Sequence, residues 1–179
     1  MEMKSKELLK IKVTLLRSRT WMAAAKSAAV GTVPIPGVTA VYDVAVIEAE
    51  VRHQRKQLGI DDENLKFIAE NLGVDVDELK ERIRVKIGAN ADIMELLSGK
   101  TLDSFLVRLM GQPLTASCAE ALNTATLTLP IIGSFVAGGI SFAATYASLT
   151  YMLNQYEKMA AACLDVVFSE DDDDDDDDE

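Results

Sequence analysis

Apolar positions recur at helical spacing along most of this chain. In residues 4–30, Leu8, Ile11, Leu15, Met22 and Ala25 fall near one face with Lys and Arg between them. That spacing predicts one long helix with this face turned to a core. Gly31 ends it, and Val33-Pro34-Ile35-Pro36-Gly37 reads as a stiff apolar turn, because proline fixes φ and lacks a donor. Pro34, Pro36 and Gly37 are therefore structural turn residues. A second helix is predicted over 38–58. Its first half is apolar all round and expected to be deeply buried; its charged second half, 48–56, is expected to emerge into solvent.

Two short helices follow. Leu58-Gly59-Ile60-Asp61-Asp62-Glu63-Asn64-Leu65-Lys66 is echoed 14 residues later by Leu72-Gly73-Val74-Asp75-Val76-Asp77-Glu78-Leu79-Lys80. Each copy supplies Gly as a helix stop and then Asp as an N-cap. Asp75 and Glu78 also have capping-box spacing. A helix-turn-helix reading for DNA fails on the surrounding acidity.

Residues 91–111 form an amphipathic segment. Leu102, Phe105, Leu106 and Leu109 follow i, i+3, i+4, i+7, with Asp103 and Arg108 opposite, and Gly111-Gln112-Pro113 breaks the pattern. These four apolar residues are the candidate membrane or assembly face. Between Glu120 and Glu157 lie 36 residues without a charge. There Thr128-Leu129-Pro130-Ile131-Ile132-Gly133 echoes the first proline turn, so Pro130 and Gly133 are expected at a second turn, and two related helical hairpins are expected. Residues 131–153 are long enough to cross a bilayer, but they are rich in Ala, Gly, Ser and Thr and lack flanking Lys or Arg. Small residues at this density fit a central core helix better than a lipid-facing one, although they also mediate packing inside membranes.

Charge changes the picture at one end only. The net charge is −11, yet the ten residues from Glu170 to Glu179 are all acidic, and the other 19 acids face 18 Lys and Arg. The body is nearly neutral, which excludes a basic nucleic-acid binder. The acidic run buries nothing and repels itself, so it is expected to be solvated and disordered. A sharper alternative docks it on the basic first helix, with Lys4, Lys6, Lys10, Lys12, Arg17 and Arg19. The expected organisation is an all-α helical bundle over 1–168 with short capped helices, and a disordered poly-acidic tail over 169–179. Cys118 and Cys163 are too few for a disulfide framework and are expected to be buried free thiols, and no secretory signal is evident. The expected location is intracellular: cytoplasmic, with membrane association.

Catalytic constellations fail one by one. Ser98-Gly99-Lys100-Thr101 resembles the end of a phosphate loop, but Met94 stands where the loop needs its first Gly, and the preceding Met94-Glu95-Leu96-Leu97 reads as helix. His53 is the only histidine, so a Ser- or Cys-based triad lacks its base. The clusters Asp61, Asp62, Glu63 and Asp75, Asp77, Glu78 lack the spacing of a calcium loop, and capping accounts for them. Trp21, Tyr42 and Phe135 are expected as core anchors. No catalytic residue, cofactor, metal, nucleic acid or small-molecule substrate is expected.

Four segments in order carry a family resemblance: Arg17-Ser18-Arg19-Thr20-Trp21-Met22, Val33-Pro34-Ile35-Pro36-Gly37, Leu58-Gly59-Ile60-Asp61-Asp62-Glu63 and Leu129-Pro130-Ile131-Ile132-Gly133-Ser134. Together they resemble the C-terminal helical region of immunity-related (interferon-inducible) GTPases, from about Lys4 to Phe168. Members of that family resist intracellular pathogens by binding GTP, oligomerising and loading onto membranes, with a GTPase domain ahead of this region. The resemblance implies a non-catalytic helical domain serving oligomerisation and membrane association, with GTP binding only in a full-length context. Its partners would be a second copy, a GTPase domain or a membrane surface. By analogy with relatives, 92–111 or 114–128 are the candidate membrane segments, which their scarcity of basic residues weakens. The rival reading is a membrane-inserting helical hairpin built on 131–153, unrelated to GTP.

Overall fold

The computed structural model of the protein describes residues 2–31, 38–88 and 130–170, with side chains except at Glu2, Glu170 and some positions near 31–44 and 130–144. The fold is all-α: among the described residues there are five helices and no strand. These are α1 (Glu2–Gly31), α2 (Val38–Leu58), α3 (Asp62–Asn71), α4 (Val76–Ile87) and α5 (Pro130–Glu170).

The joints around α3 show most directly why these residues stop and start helices. Gly59 has φ +73°, which lets the chain turn out of α2 while Ile60 N–H reaches the Arg55 carbonyl at 3.1 Å. Asp61 then takes an extended N-cap conformation, and its Oδ1 accepts from Asn64 N–H at 3.3 Å. Gly73 repeats the device after α3, with φ +67° and Val74 N–H on the Ala69 carbonyl at 3.0 Å. Asp75 occupies the N-cap position of α4 but makes no side-chain cap bond. The capping box with Glu78 is not formed, because the Glu78 carboxylate accepts from Arg82 one turn on, at 2.7 Å.

The chain divides into two compact units, and α1, α2 and α5 each contribute to both. Unit 1 comprises Met1–Leu16, Arg52–Gly99 and Leu153–Glu179. Its core is conventional. Leu65 and Ala69 of α3, Leu79 and Ile83 of α4, and Val13 and Leu16 of α1 are buried with Leu153, Tyr156, Met159 and Cys163 of α5. Lys12 donates to the Gln57 carbonyl at 3.1 Å, and Lys6 pairs with Asp165 at 2.9 Å. Burial pushes the Tyr156 hydroxyl far up in pKa, against a smaller downward pull from Arg55, and raises the Cys163 thiol to about 11. Cys163 is thus the buried free thiol expected.

Unit 2 comprises Arg17–Val51 and Lys100–Met152, and its core is of another kind. Thr20, Ser27, Glu50, Ser141, Thr145 and Ser148 are buried among Ala23, Ala24, Ile47, Val51, Leu149 and Met152. Arg19 Nε donates to Glu50 Oε1 at 2.5 Å, and Ser141 Oγ donates to Asp43 Oδ2 at 2.6 Å. Arg19 and Glu50 lie twelve residues before Gly31 and after Val38, so these pieces of α1 and α2 run antiparallel. Hydroxyls and small side chains allow close helix approach here, and the hydroxyls can also bond their own helix backbone.

Several expectations need correction. The α1 face carrying Leu8, Ile11, Leu15 and Met22 points outward, and a second set on the other side, Val13, Leu16, Thr20, Ala24 and Ser27, is buried. Trp21 is 57% exposed and meets Phe142 edge-on at 6.3 Å, so it borders the core and does not anchor it. In α2 the charged half does not simply emerge: Glu50, Val51 and Gln54 are buried, while Tyr42 and Asp43 in the first half are only half-buried. Pro130 is the first residue of α5 and Gly133 lies in its first turn. A proline suits that place because the N–H it lacks would have no intrahelical partner there.

Candidate interaction faces

Among the described residues, no group of three or more His, Cys, Asp or Glu could hold a metal ion. His53 is half-buried on α2. With its thiol pushed up by burial, Cys163 stays protonated at neutral pH and is a poor nucleophile. The phosphate-loop look-alike at Ser98–Thr101 lies outside the described residues. So do Leu102, Phe105, Leu106 and Leu109, the turn residues Pro34, Pro36 and Gly37, and Cys118.

Surfaces remain. In unit 1, Leu8, Ile11 and Leu15 stand 53%, 58% and 66% exposed on one side of α1. Their i, i+3, i+7 spacing puts three large aliphatic side chains in one line, the a–d–a pattern of a helix-pairing seam. Val13 and Leu16, on the other side of the same helix, are buried. This portion of α1 is therefore apolar on two sides and has a described partner on one. In unit 2, Trp21 and Met22 are also more than half exposed, and Phe142 stacks on Tyr146 at 5.8 Å. Sequence reasoning found the line of Leu8, Ile11 and Leu15 but assigned it to the core. The signal that could have separated the two sides is the second heptad-like set, whose Thr20, Ala24 and Ser27 add too little hydropathy to be noticed.

A second surface lies in unit 1, where α4 meets the end of α5. Glu81, Arg82, Val85 and Lys86 line an open cleft of about 260 Å³ with Val166 and Ser169. Val85 and Val166 give it an apolar lining, and Glu81, Arg82, Lys86 and Ser169 are its polar residues.

A profile for interferon-inducible GTPases matches residues 2–123, more than half of the chain. The chain belongs to the interferon-inducible GTPase family. Two curated relatives, from the rat Rattus norvegicus and from cattle, Bos taurus, are both named interferon-inducible GTPase 5. Each is 28% identical over 151 residues, which is 84% of this chain and 30% of the relative. The chain thus spans about a third of the length of these family members. No solved structure matches it. Among the described residues, no helix is long and apolar enough to cross a membrane.

Proposed function

We propose that this chain is a helical, non-catalytic portion of an interferon-inducible GTPase and acts as an assembly module through the outward side of α1. Guanine-nucleotide binding, on this reading, resides in the part of such proteins that the matched residues do not include. The observation that carries the proposal is the line of Leu8, Ile11 and Leu15. Each keeps more than half its surface in water although a neighbouring side of α1 is core. Leaving three large aliphatic side chains so exposed forgoes roughly 1–2 kcal/mol apiece, which a partner surface would recover.

The occupant we assign is a second copy of the chain. In a parallel, in-register pair the a–d–a line meets itself, and Glu7 of one copy stands opposite Lys12 of the other at the flanking positions. Lys12 already donates to the Gln57 carbonyl, and its ammonium has donors left for a carboxylate.

Sedimentation of the purified chain and of Leu8→Ser/Ile11→Ser/Leu15→Ser tests this. The expected result is a reversible dimer for the parent and an association at least about tenfold weaker for the variant. Helicity should stay unchanged, because the substituted residues are exposed. A parent that stays monomeric at high micromolar concentration overturns the self-association reading. If that monomer floats with anionic vesicles and the variant does not, the same face belongs to a membrane. Micromolar binding of a guanine nucleotide by the chain itself would overturn the non-catalytic assignment.

A further inference from the structure

The unit-2 stretch of α1, from Arg17 on, has an outward side of its own. Counted in sevens from Leu8, Leu15 and Met22 also fall at position a, and Ile11, Ser18 and Ala25 at position d. Val13, Leu16, Thr20, Ala23, Ala24 and Ser27 are buried, and all of them lie at b, c or f. In unit 2, Ser18, Arg19, Trp21, Met22 and Lys26 are exposed and Ala25 is half-buried, so positions a, d, e and g stay open. Burial thus sorts α1 by heptad position, and what it leaves outside has the width of a helix-pairing face.

The two flanks of this side are chemically unlike. Position e carries Lys12, Arg19 and Lys26; position g carries Glu7, Thr14 and Trp21. Such residues set the orientation of paired helices, because e meets g of the second copy in a parallel pair and meets e in an antiparallel one. Antiparallel docking would bring Lys12 against Arg19 or Lys26 of the other copy, a like-charge contact. Glu50 offsets part of the Arg19 charge, and no acid pairs with Lys12 or Lys26 among the described residues. Parallel docking gives each cation a different neighbour. Lys12 meets the Glu7 carboxylate, Lys26 the Trp21 ring, and Arg19 the Thr14 hydroxyl, which donates to the Lys10 carbonyl at 2.9 Å and can still accept. Lys6, Lys10 and Arg17 lie at f and c, off this side. Lys4 lies at d and would repel its own copy, so the pairing begins after it.

Two residues of unit 2 fix the match further. Trp21 is steadied by Phe142, which meets it edge-on at 6.3 Å and is itself stacked on Tyr146, while 57% of Trp21 stays open. Its free surface is an aromatic partner for an ammonium group. Ser18 is the one polar residue of the a and d line between Leu8 and Ala25. It meets its own copy only in register, whereas a slip of one heptad would set its hydroxyl against an apolar side chain.

We infer that the second copy docks parallel and in register along α1, the contact continuing through Ser18, Met22 and Ala25, with Lys26 of each copy over the Trp21 ring of the other. The arrangement rests on the assembly reading above and fixes orientation and register within it.

Three measurements on the full chain test it. Ser18→Cys and Ala25→Cys, made separately, should each cross-link to their own copy on mild oxidation. Mass spectrometry of the dimer band maps the links, and the parent controls for Cys118 and Cys163. Two positions seven residues apart can both face themselves only in a parallel, in-register pair, since an antiparallel two-fold axis passes one position at most. Trp21 is the only tryptophan, so its emission should move to the blue with the dimer fraction found by sedimentation. Lys26→Gln should weaken the dimer about fivefold or more, because two cation–π pairs are lost, and Lys26→Arg should hold it within about twofold. A monomeric parent would overturn the assembly reading and this arrangement together. A dimeric parent that links at one cysteine position or neither, keeps its Trp21 emission unmoved, or binds no more tightly than Lys26→Gln would overturn this arrangement alone.

Discussion

Helices α3 and α4 and the long helix α1 solve the burial problem in opposite ways. Each short helix buries one narrow line, Leu65 and Ala69 in α3 and Leu79 and Ile83 in α4, and turns charge to solvent together with a single exposed apolar side chain, Phe67 in α3 and Val85 in α4. Their ends are fixed by Gly59, Gly73 and Asp61. α1 buries Val13 and Leu16 in unit 1 and small or hydroxyl residues in unit 2, and it still presents Leu8, Ile11 and Leu15 outward. The difference between the two kinds of helix is a line of three exposed aliphatic residues at helical spacing against one exposed apolar residue each.

The comparison is broken most forcefully by leucines of equal chemistry and opposite placement. Leu79 has 0% of its surface exposed and Leu15 has 66%. Leu79→Ala should cost about 2–5 kcal/mol, the transfer term plus a cavity between α4 and its neighbours. Leu15→Ala should stay within about 0.5 kcal/mol for the monomer. Urea unfolding of both variants at low protein concentration measures the difference. Equal losses would mean that α1 has no outward side.

Those leucines also show what was legible. The bounds of α2 and α3 and the start of α4 could be read almost to the residue, because glycines with positive φ and an aspartate before an apolar run act locally. Which side of α1 is buried is not a local property. Both sides have helical periodicity, and the choice falls to whichever side lets α1 sit closest to its neighbours. Ala23, Ala24 and Ser27 allow that approach, and Leu8 and Leu15 do not. Glu50 was misread for a related reason: its charge suggested solvent, and only the fold brings Arg19 alongside. Pro130 looked like a turn because a proline that starts a helix and one that breaks it look alike in sequence.

The inner side of α1 can be probed through that ion pair. Glu50 is 7% exposed and has its Arg19 partner at 2.5 Å, whereas the Arg19 side chain is itself about half exposed. Arg19→Ala leaves a buried carboxylate without its cation. A fully buried pair would lose about 3–5 kcal/mol, and water around Arg19 reduces the expectation to about 1–3 kcal/mol. Arg19→Ala/Glu50→Gln should recover part of the loss, because the charge left stranded is then gone. Thermal unfolding of the single and double variants gives the coupling. No recovery in the double variant would place the cost in the packing of the arginine stem.

The smallest effect separates α3 from α4, the two helices that look most alike in sequence. Asp61 caps α3 through its side chain and Asp75 makes no such bond, so Asp61→Ala should cost about 1 kcal/mol and Asp75→Ala a few tenths. Only the first loss should depend on this cap's titration. Partial burial pulls the pKa of Asp61 upward, but the donors from the Asn64 side chain, the Asn64 backbone and Glu63 outweigh it and hold the group below its ordinary value. A carboxylate depressed in the folded state stabilises above its unfolded pKa of about 3.9 and loses that contribution as pH falls through the folded value. The gap between the parent and Asp61→Ala should therefore be full at pH 6 and close below about pH 4. A gap that stays constant down to acid unfolding would show that the cap acts through its shape, with the charge contributing nothing.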